Sequence, residues 1–264
     1  MGPGVTALPC ERDKLRAATD RYLVAQSTGN VRWLESALVP NATYWENLIL
    51  TDIANSTLNK RLGIDYSRTA FDLTQCATYT ELLATDVSRP YQIGMQLRLD
   101  PSTGKIARLD GIFTTTGDLL FNASHTLHYT LLEDWSPIPA EERDSRETLK
   151  ATADAYYDFF VNKTVSVPWG VPCTRLEGGY LDANGTCDTD IPDVTIRTVD
   201  RRYVIDETLG VIDVISNFGI LGPDSHEFRI VNGTIRHIHS ATLCRPNYNC
   251  GLAMPAILSE DIGF

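Results

Sequence analysis

Residues 147–159 read ETLKATADAYYDF, and residues 13–25 read DKLRAATDRYLVA. The two align without a gap, so that Leu15 meets Leu149, Ala17 meets Ala151, Asp20 meets Asp154 and Tyr22 meets Tyr156. In each, apolar residues recur at helical spacing (Leu15, Ala18, Tyr22; Leu149, Ala153, Tyr156, Phe160), which predicts an amphipathic helix with one core-facing side. A repeated helix of this kind marks a duplicated unit.

Two further pairs of segments extend the repeat. VPNATYWEN (39–47) and VPCTRLEGG (171–179) each follow their helix, and each places a Glu three residues after a Thr: Thr43 and Glu46, Thr174 and Glu177. GKIARLDGIFT (104–114) matches GTIRHIHSATL (233–243), and both read as alternating strands entered from a turn. The Pro- and charge-rich stretch EDWSPIPAEERDS (133–145) lies between the copies. The expected organisation is a first unit over 8–133, a linker over 134–144, a second unit over 145–244 and a C-terminal tail over 245–264. The expected class is α+β, with a curved antiparallel sheet wrapped around helices in each unit.

The chain has 264 residues, 43% of them hydrophobic, which is ample for packed cores. Its formal net charge of −11 offers no basic stripe, so no nucleic-acid partner is expected. No apolar run reaches the length of a membrane span, and no membrane association is expected. Asn-x-Ser/Thr occurs at Asn41, Asn55, Asn122, Asn162, Asn184 and Asn232, six of the twelve asparagines. Chance would give roughly two, so the acceptor motif is in excess. Cys10, Cys76, Cys173, Cys187, Cys244 and Cys250 make an even set without zinc-finger spacing. Sequons and cysteines together point to a secreted protein or one of the secretory-pathway lumen, where glycans and disulfides form. Cys10 is expected to pair with Cys76, the other four closing loops in the second half. MGPGVTALPC lacks the basic start and apolar core of a signal peptide, so a leader is expected to have been removed.

A leading helix, a short strand with an acid near its end and a curved sheet resemble the cone fold of nuclear transport factor 2-like proteins. These include the SnoaL-like cyclases and ketosteroid isomerase. LRAATDRYLVAQSTGNVRWLESALVPNATYWEN and GKIARLDGIF carry the resemblance, with ETLKATADAYYDFF, VPCTRLEGG and GTIRHIHSATL as the second copy. Tandem, glycosylated forms look like secreted fungal proteins of this superfamily, among them the cyclases of maleidride pathways that join maleic-anhydride units. The isomerase's base stands in an Ala-Thr-x-x-acid strand, which Ala42, Thr43 and Glu46 fit; its helix tyrosine is matched by Tyr22 or Tyr156.

The residues themselves supply the candidates. Strand alternation puts Tyr44 with Glu46 and Arg175 with Glu177, while Trp45 and Leu176 face away. If the Trp45/Leu176 side is core, both glutamates face solvent. If the other side lines the cone, a half-buried carboxylate suits proton abstraction beside a carbonyl. His237 and His239 are expected on one strand face with Ile235 and Ala241, and His226 opens the strand before. An imidazole titrates in the useful range, and no metal is expected. Asp110 is the first-copy equivalent of His239. Arg201 and Tyr203 share a face of VDRRYVIDETLGV (199–211), where an arginine can clamp a carboxylate. Nucleophile-elbow, phosphate-loop, dinucleotide and zinc-protease motifs are absent.

The expectation is a cofactor-independent isomerase or cyclase of specialised metabolism, abstracting a proton next to a carbonyl. His239, His237, Glu177 and Tyr156 would be its catalytic set, with Glu46, Asp110 and Tyr22 as first-copy counterparts. Arg175, Arg201, Tyr203, His226 and Tyr44 would bind an anionic or carbonyl-containing small molecule. The units would pack as an intramolecular cone dimer, with a homodimer of the chain also open. The alternative is a secreted small-molecule binder without turnover.

Overall fold

The structure, a computed structural model, describes residues 10–182, 185–189, 191, 195–244 and 246–252. Helix α1 (Arg12–Thr28) buries Leu15, Ala18, Tyr22 and Ala25, the stripe its spacing predicts, and α2 (Arg32–Glu35) adds Leu34. Strands β1 (Leu38–Glu46), β2 (Ile49–Leu50), β3 (Tyr66–Asp72), β4 (Ala77–Ala84), β5 (Tyr91–Leu99) and β6 (Ile106–Thr114) complete the first unit. After α3 (Ala123–Thr130), the order repeats. Helix α4 (Arg146–Phe159) is capped by Ser145, whose hydroxyl accepts the Thr148 N–H at 3.2 Å. Strands β7 (Trp169–Glu177), β8 (Tyr180–Asp182), β9 (Val199–Asp206), β10 (Val211–Asn217), β11 (Pro223–Val231) and β12 (Thr234–Thr242) follow.

The fold is α+β, two tandem cone-like units with one six-stranded sheet each. Their strand orders, β2-β1-β6-β5-β4-β3 and β8-β7-β12-β11-β10-β9, are the same. Each sheet is antiparallel except where its first long strand runs parallel to its last, β1 on β6 and β7 on β12. Glu46 sits opposite Gly111 and Glu177 opposite Ser240, so the two glutamates are equivalent in three dimensions as well as in sequence.

The concave face of each sheet packs on its own helix, with Leu82, Met95 and Leu97 in one core and Val214, Phe228 and Ile238 in the other. The opposite faces pack on each other. Ala70, Ala77 and Tyr79 meet Val204 and Val211, and Ile112 meets Ile215 and Ala241. The sheets approach so closely at Gly94 that an added Cβ would stand 2.4 Å from Ser225 Oγ. Strands such as β4 are therefore buried along their whole length.

Three disulfides close the chain: Cys10–Cys76, Cys173–Cys187 and Cys244–Cys250. Cys10–Cys76 is the expected pair, the other four cysteines close loops in the second half, and three disulfides fit an oxidising compartment. Asn41, Asn55, Asn162 and Asn232 are exposed. Asn122 is half-buried as the α3 N-cap, accepting the His125 N–H at 3.0 Å. The Asn184 sequon lies outside the described residues, as do 245 and 253–264 of the tail. Among the described residues, no helix is long and apolar enough to cross a membrane.

Candidate active site in the second unit

The concave face of the second sheet encloses a pocket of about 320 Å³. Phe160, Ile196, Phe218 and Leu221 form apolar walls, and Leu119, Leu120 and Leu252 reach in from outside the unit. The Gly178-Gly179 turn lets Leu119 and Leu120 do so. Gly178 has φ +59°, and a Cβ there would stand 2.1 Å from the Leu119 carbonyl oxygen. Its own carbonyl accepts the Asn122 N–H at 2.6 Å.

Into this pocket the fold brings Tyr156 from α4, Arg175 and Glu177 from β7, and His226 from β11. These are four of the candidates singled out above. Behind His226 stands Asp224, two residues earlier on the same strand face, fully buried, with its carboxylate on His226 Nδ1. The other Asp224 oxygen accepts from Thr242 Oγ1 at 2.5 Å. His226 Nε2 then faces the Tyr156 hydroxyl at 3.3 Å. Asp224, His226 and Tyr156 thus form a continuous line ending at the pocket. Burial, helped by Glu177, pushes the Tyr156 hydroxyl far above its ordinary range, so it stays a phenol.

Arg175 is nearly fully buried. It contacts Glu177 and Asp182, each at 3.5 Å, and donates to the Thr189 carbonyl at 2.6 Å. Burial disfavours its charge, but Glu177, Tyr156 and Asp182 outweigh that and raise its pKa. Its Nε–H is buried without a hydrogen-bond partner. A buried donor left open in this way is costly.

His237 and His239 do not join Glu177. Residue Arg236 is an extra residue in β12, since Ile230 pairs with Ile235 but Arg229 pairs with His237. The bulge reverses the alternation, leaving Ile235 in the concave core while His237, His239 and Ala241 face the other sheet. There His239 is fully buried, with Nδ1 on Glu81 at 2.8 Å and Nε2 on Glu133 at 2.6 Å. Burial opposes its charge, yet the two carboxylates raise its pKa to about 10. Burial lowers His237 to about 4, and it bonds Thr174 Oγ1 at 2.8 Å. Arg68 completes the cluster, donating to Glu81 at 2.9 Å and Glu227 at 2.6 Å with its guanidinium 3.4 Å over Trp135. Glu81, Glu227 and His239 stand close enough to share a metal ion. Arg68 already supplies the cation between the two glutamates, which makes the cluster a fastening between the units.

The other candidates are placed elsewhere. Asp110 also faces the partner sheet and pairs with Arg202 at 2.6 Å and Arg108 at 2.7 Å. Arg201 pairs with Asp154 at 3.1 Å and Asp158 at 2.8 Å, and the Tyr203 hydroxyl donates to Asp154 at 2.6 Å. Both are bound to α4 rather than turned into the pocket. In the first unit Tyr22, Tyr44 and Glu46 come together, but Glu46 is already saturated. It accepts from the Tyr44 hydroxyl at 2.9 Å, Thr57 N at 2.9 Å and Thr57 Oγ1 at 2.5 Å. Register also puts Ile93 and Met95 where the second unit has Asp224 and His226. Asp224 is the residue sequence reasoning missed, although Asp224-Ser225-His226 has the two-residue spacing that places both side chains on one strand face.

Residues 142–242 match the family described as "Domain of unknown function (DUF8021)", which covers most of the second unit. No curated protein sequence matches the chain. Solved structures that are similar include a cystatin-like-fold protein of unknown function from Methylobium petroleophilum PM1. It is 10% identical, with 40% of this chain and 80% of that one covered and a TM-score of 0.32. An NTF2-like protein of unknown function from Cytophaga hutchinsonii is 13% identical over 38% of this chain and 89% of that one, with a TM-score of 0.29. Another from Burkholderia xenovorans LB400 is 14% identical over 39% and 84%, with a TM-score of 0.28.

Proposed function

We propose that the second unit is a cofactor-independent isomerase or cyclase that moves a proton next to a carbonyl. The observation that carries this reading is the Asp224–His226–Tyr156 line on the wall of a mostly apolar pocket. Asp224 accepts from His226 Nδ1–H and so keeps Nε2 as the basic nitrogen. Nε2 takes the proton from the carbon beside the carbonyl. The enolate oxygen that forms is stabilised by Arg175 and the Tyr156 hydroxyl, against the apolar walls of the pocket. The imidazolium then returns the proton to another carbon, or the enolate carbon bonds the carbon of a second carbonyl held beside it, whose C=O π bond breaks to an alkoxide that takes the proton from the imidazolium. The sequons and disulfides support placing this activity in the secretory lumen or outside the cell.

The test needs no knowledge of the product. A panel of ketones, esters and lactones is incubated with the protein in D₂O, and deuterium entry next to the carbonyl is followed by NMR. Exchange lost in His226→Gln supports the reading. Binding without exchange would instead support a carrier, for which the apolar walls also suffice.

A further inference from the structure

The pocket's charges say what kind of molecule enters it. Its wall and immediate backing hold three carboxylates, Glu177, Asp182 and Asp224, against the single guanidinium of Arg175. Arg175 is already flanked by two of them, with Glu177 and Asp182 each 3.5 Å away. An incoming carboxylate would therefore add a fourth negative charge near one positive one, in a place where burial leaves little screening. Arg175 also keeps a buried Nε–H without a hydrogen-bond partner. A carbonyl oxygen satisfies one donor without bringing a charge. A carboxylate makes its best use of arginine through two parallel donors, and here NH2 is held by the Thr189 carbonyl at 2.6 Å.

We propose that the pocket selects an uncharged carbonyl compound over its carboxylate counterpart, with Glu177 setting the preference. This rests on the second-unit pocket being the ligand site, and it replaces the expectation that Arg175 clamps an acid. Glu177 is the residue to alter, because it lines the pocket and its side chain keeps 22% of its exposure, whereas Asp182 and Asp224 are buried.

The experiment titrates the intact protein with shape-matched pairs: 2-acetylnaphthalene against 2-naphthoate, and cyclohexyl methyl ketone against cyclohexanecarboxylate. Calorimetry at pH 7 and low salt reads the affinities. In the wild type each ketone is expected to bind at least about tenfold more tightly than its acid, the size of effect one unscreened like charge produces. Glu177→Gln should close most of that gap by improving the acids far more than the ketones. Glu177→Asp, which keeps the charge, should preserve the gap. Acids binding as tightly as ketones in the wild type, or an unchanged ratio in Glu177→Gln, would overturn the proposal while leaving the ligand site standing. If neither series binds, the site itself is wrong and the proposal goes with it.

Discussion

Asp72 and Asp206 are exchanged across the two units. Asp72, at the end of β3, accepts the backbone N–H of Ile205 at 3.0 Å, and Asp206, at the end of β9, accepts that of Phe71 at 2.8 Å. Each also meets an arginine from the helix of the other unit, Arg146 on Asp72 at 2.7 Å and Arg12 on Asp206 at 3.5 Å. The arrangement is the self-complementary pattern of a two-fold interface, contained here in one chain.

Replacing Asp72 leaves a strand N–H and the partly buried Arg146 without this acceptor, whereas replacing Asp206 leaves the Phe71 N–H without it and Arg12 with Thr208 Oγ1 at 3.2 Å. Asp72→Ala should cost about 2–4 kcal/mol, and Asp206→Ala somewhat less because its arginine is more exposed. Urea unfolding followed by both fluorescence and far-UV circular dichroism checks this. A midpoint unmoved in Asp72→Ala would show that the Asp72 contacts do not help to hold the units together.

Much of this architecture was readable in the chain. The Leu15/Leu149 helices and the Glu46/Glu177 strands are found where the repeat predicts, and Cys10 pairs with Cys76 as expected. That the units pack on each other was expected, but which side chains meet there was not readable, because strands buried on both faces lose the alternation that reveals orientation. Glu81, Glu227 and His239 look like surface residues in sequence, yet they are buried because each finds its partner in the other unit or in the linker. A single inserted residue, Arg236, moved both β12 histidines away from the pocket, and nothing in RHIHSATL announces a bulge.

The His239 cluster makes stability depend on pH. Its imidazole has a folded pKa of about 10 against an unfolded value near 6.5. The folded state therefore holds a proton that the unfolded chain releases. The stabilisation is fully present below about pH 6.5 and is lost as pH rises towards 10, at about 1.4 kcal/mol per pH unit. Glu133 works in the opposite direction, since its folded value of about 2 gives stability above the unfolded value near 4.3, lost on acidification. Urea midpoints between pH 6 and 9 should fall in the wild type and be flatter in His239→Gln. Parallel slopes would mean the imidazole is not the group responsible.

Loop closure ranks the disulfides. Cys10–Cys76 spans 66 residues, Cys173–Cys187 spans 14 and Cys244–Cys250 spans 6. Chain entropy assigns them about 4, 3 and 2 kcal/mol in that order. Serine replacement of each pair, with thermal unfolding measured for the three variants, should give the largest loss for Cys10/Cys76. The smallest thermodynamic loss, at Cys244/Cys250, should bring the clearer loss of ligand binding, because that ring precedes Leu252 on the pocket wall. Equal binding in all three would detach the tail from the site.

Glu46 and Glu177 share a register position but not a role. Glu46 is saturated by Tyr44 and Thr57, and Met95 and Ile93 occupy the places of His226 and Asp224, so the first unit lacks a proton-handling line. Glu46→Gln should lower stability by about 1–3 kcal/mol, as hydrogen bonds to a charged acceptor weaken, and leave deuterium exchange intact. His226→Gln should lower exchange by about 10²–10⁴, with some loss of stability as well because the buried Asp224 carboxylate loses its imidazole partner. Asp224→Asn should fall between them in exchange, because it leaves the imidazole present but no longer fixes which nitrogen carries the proton. Exchange that survives His226→Gln and disappears in Glu46→Gln would move the chemistry to the first unit.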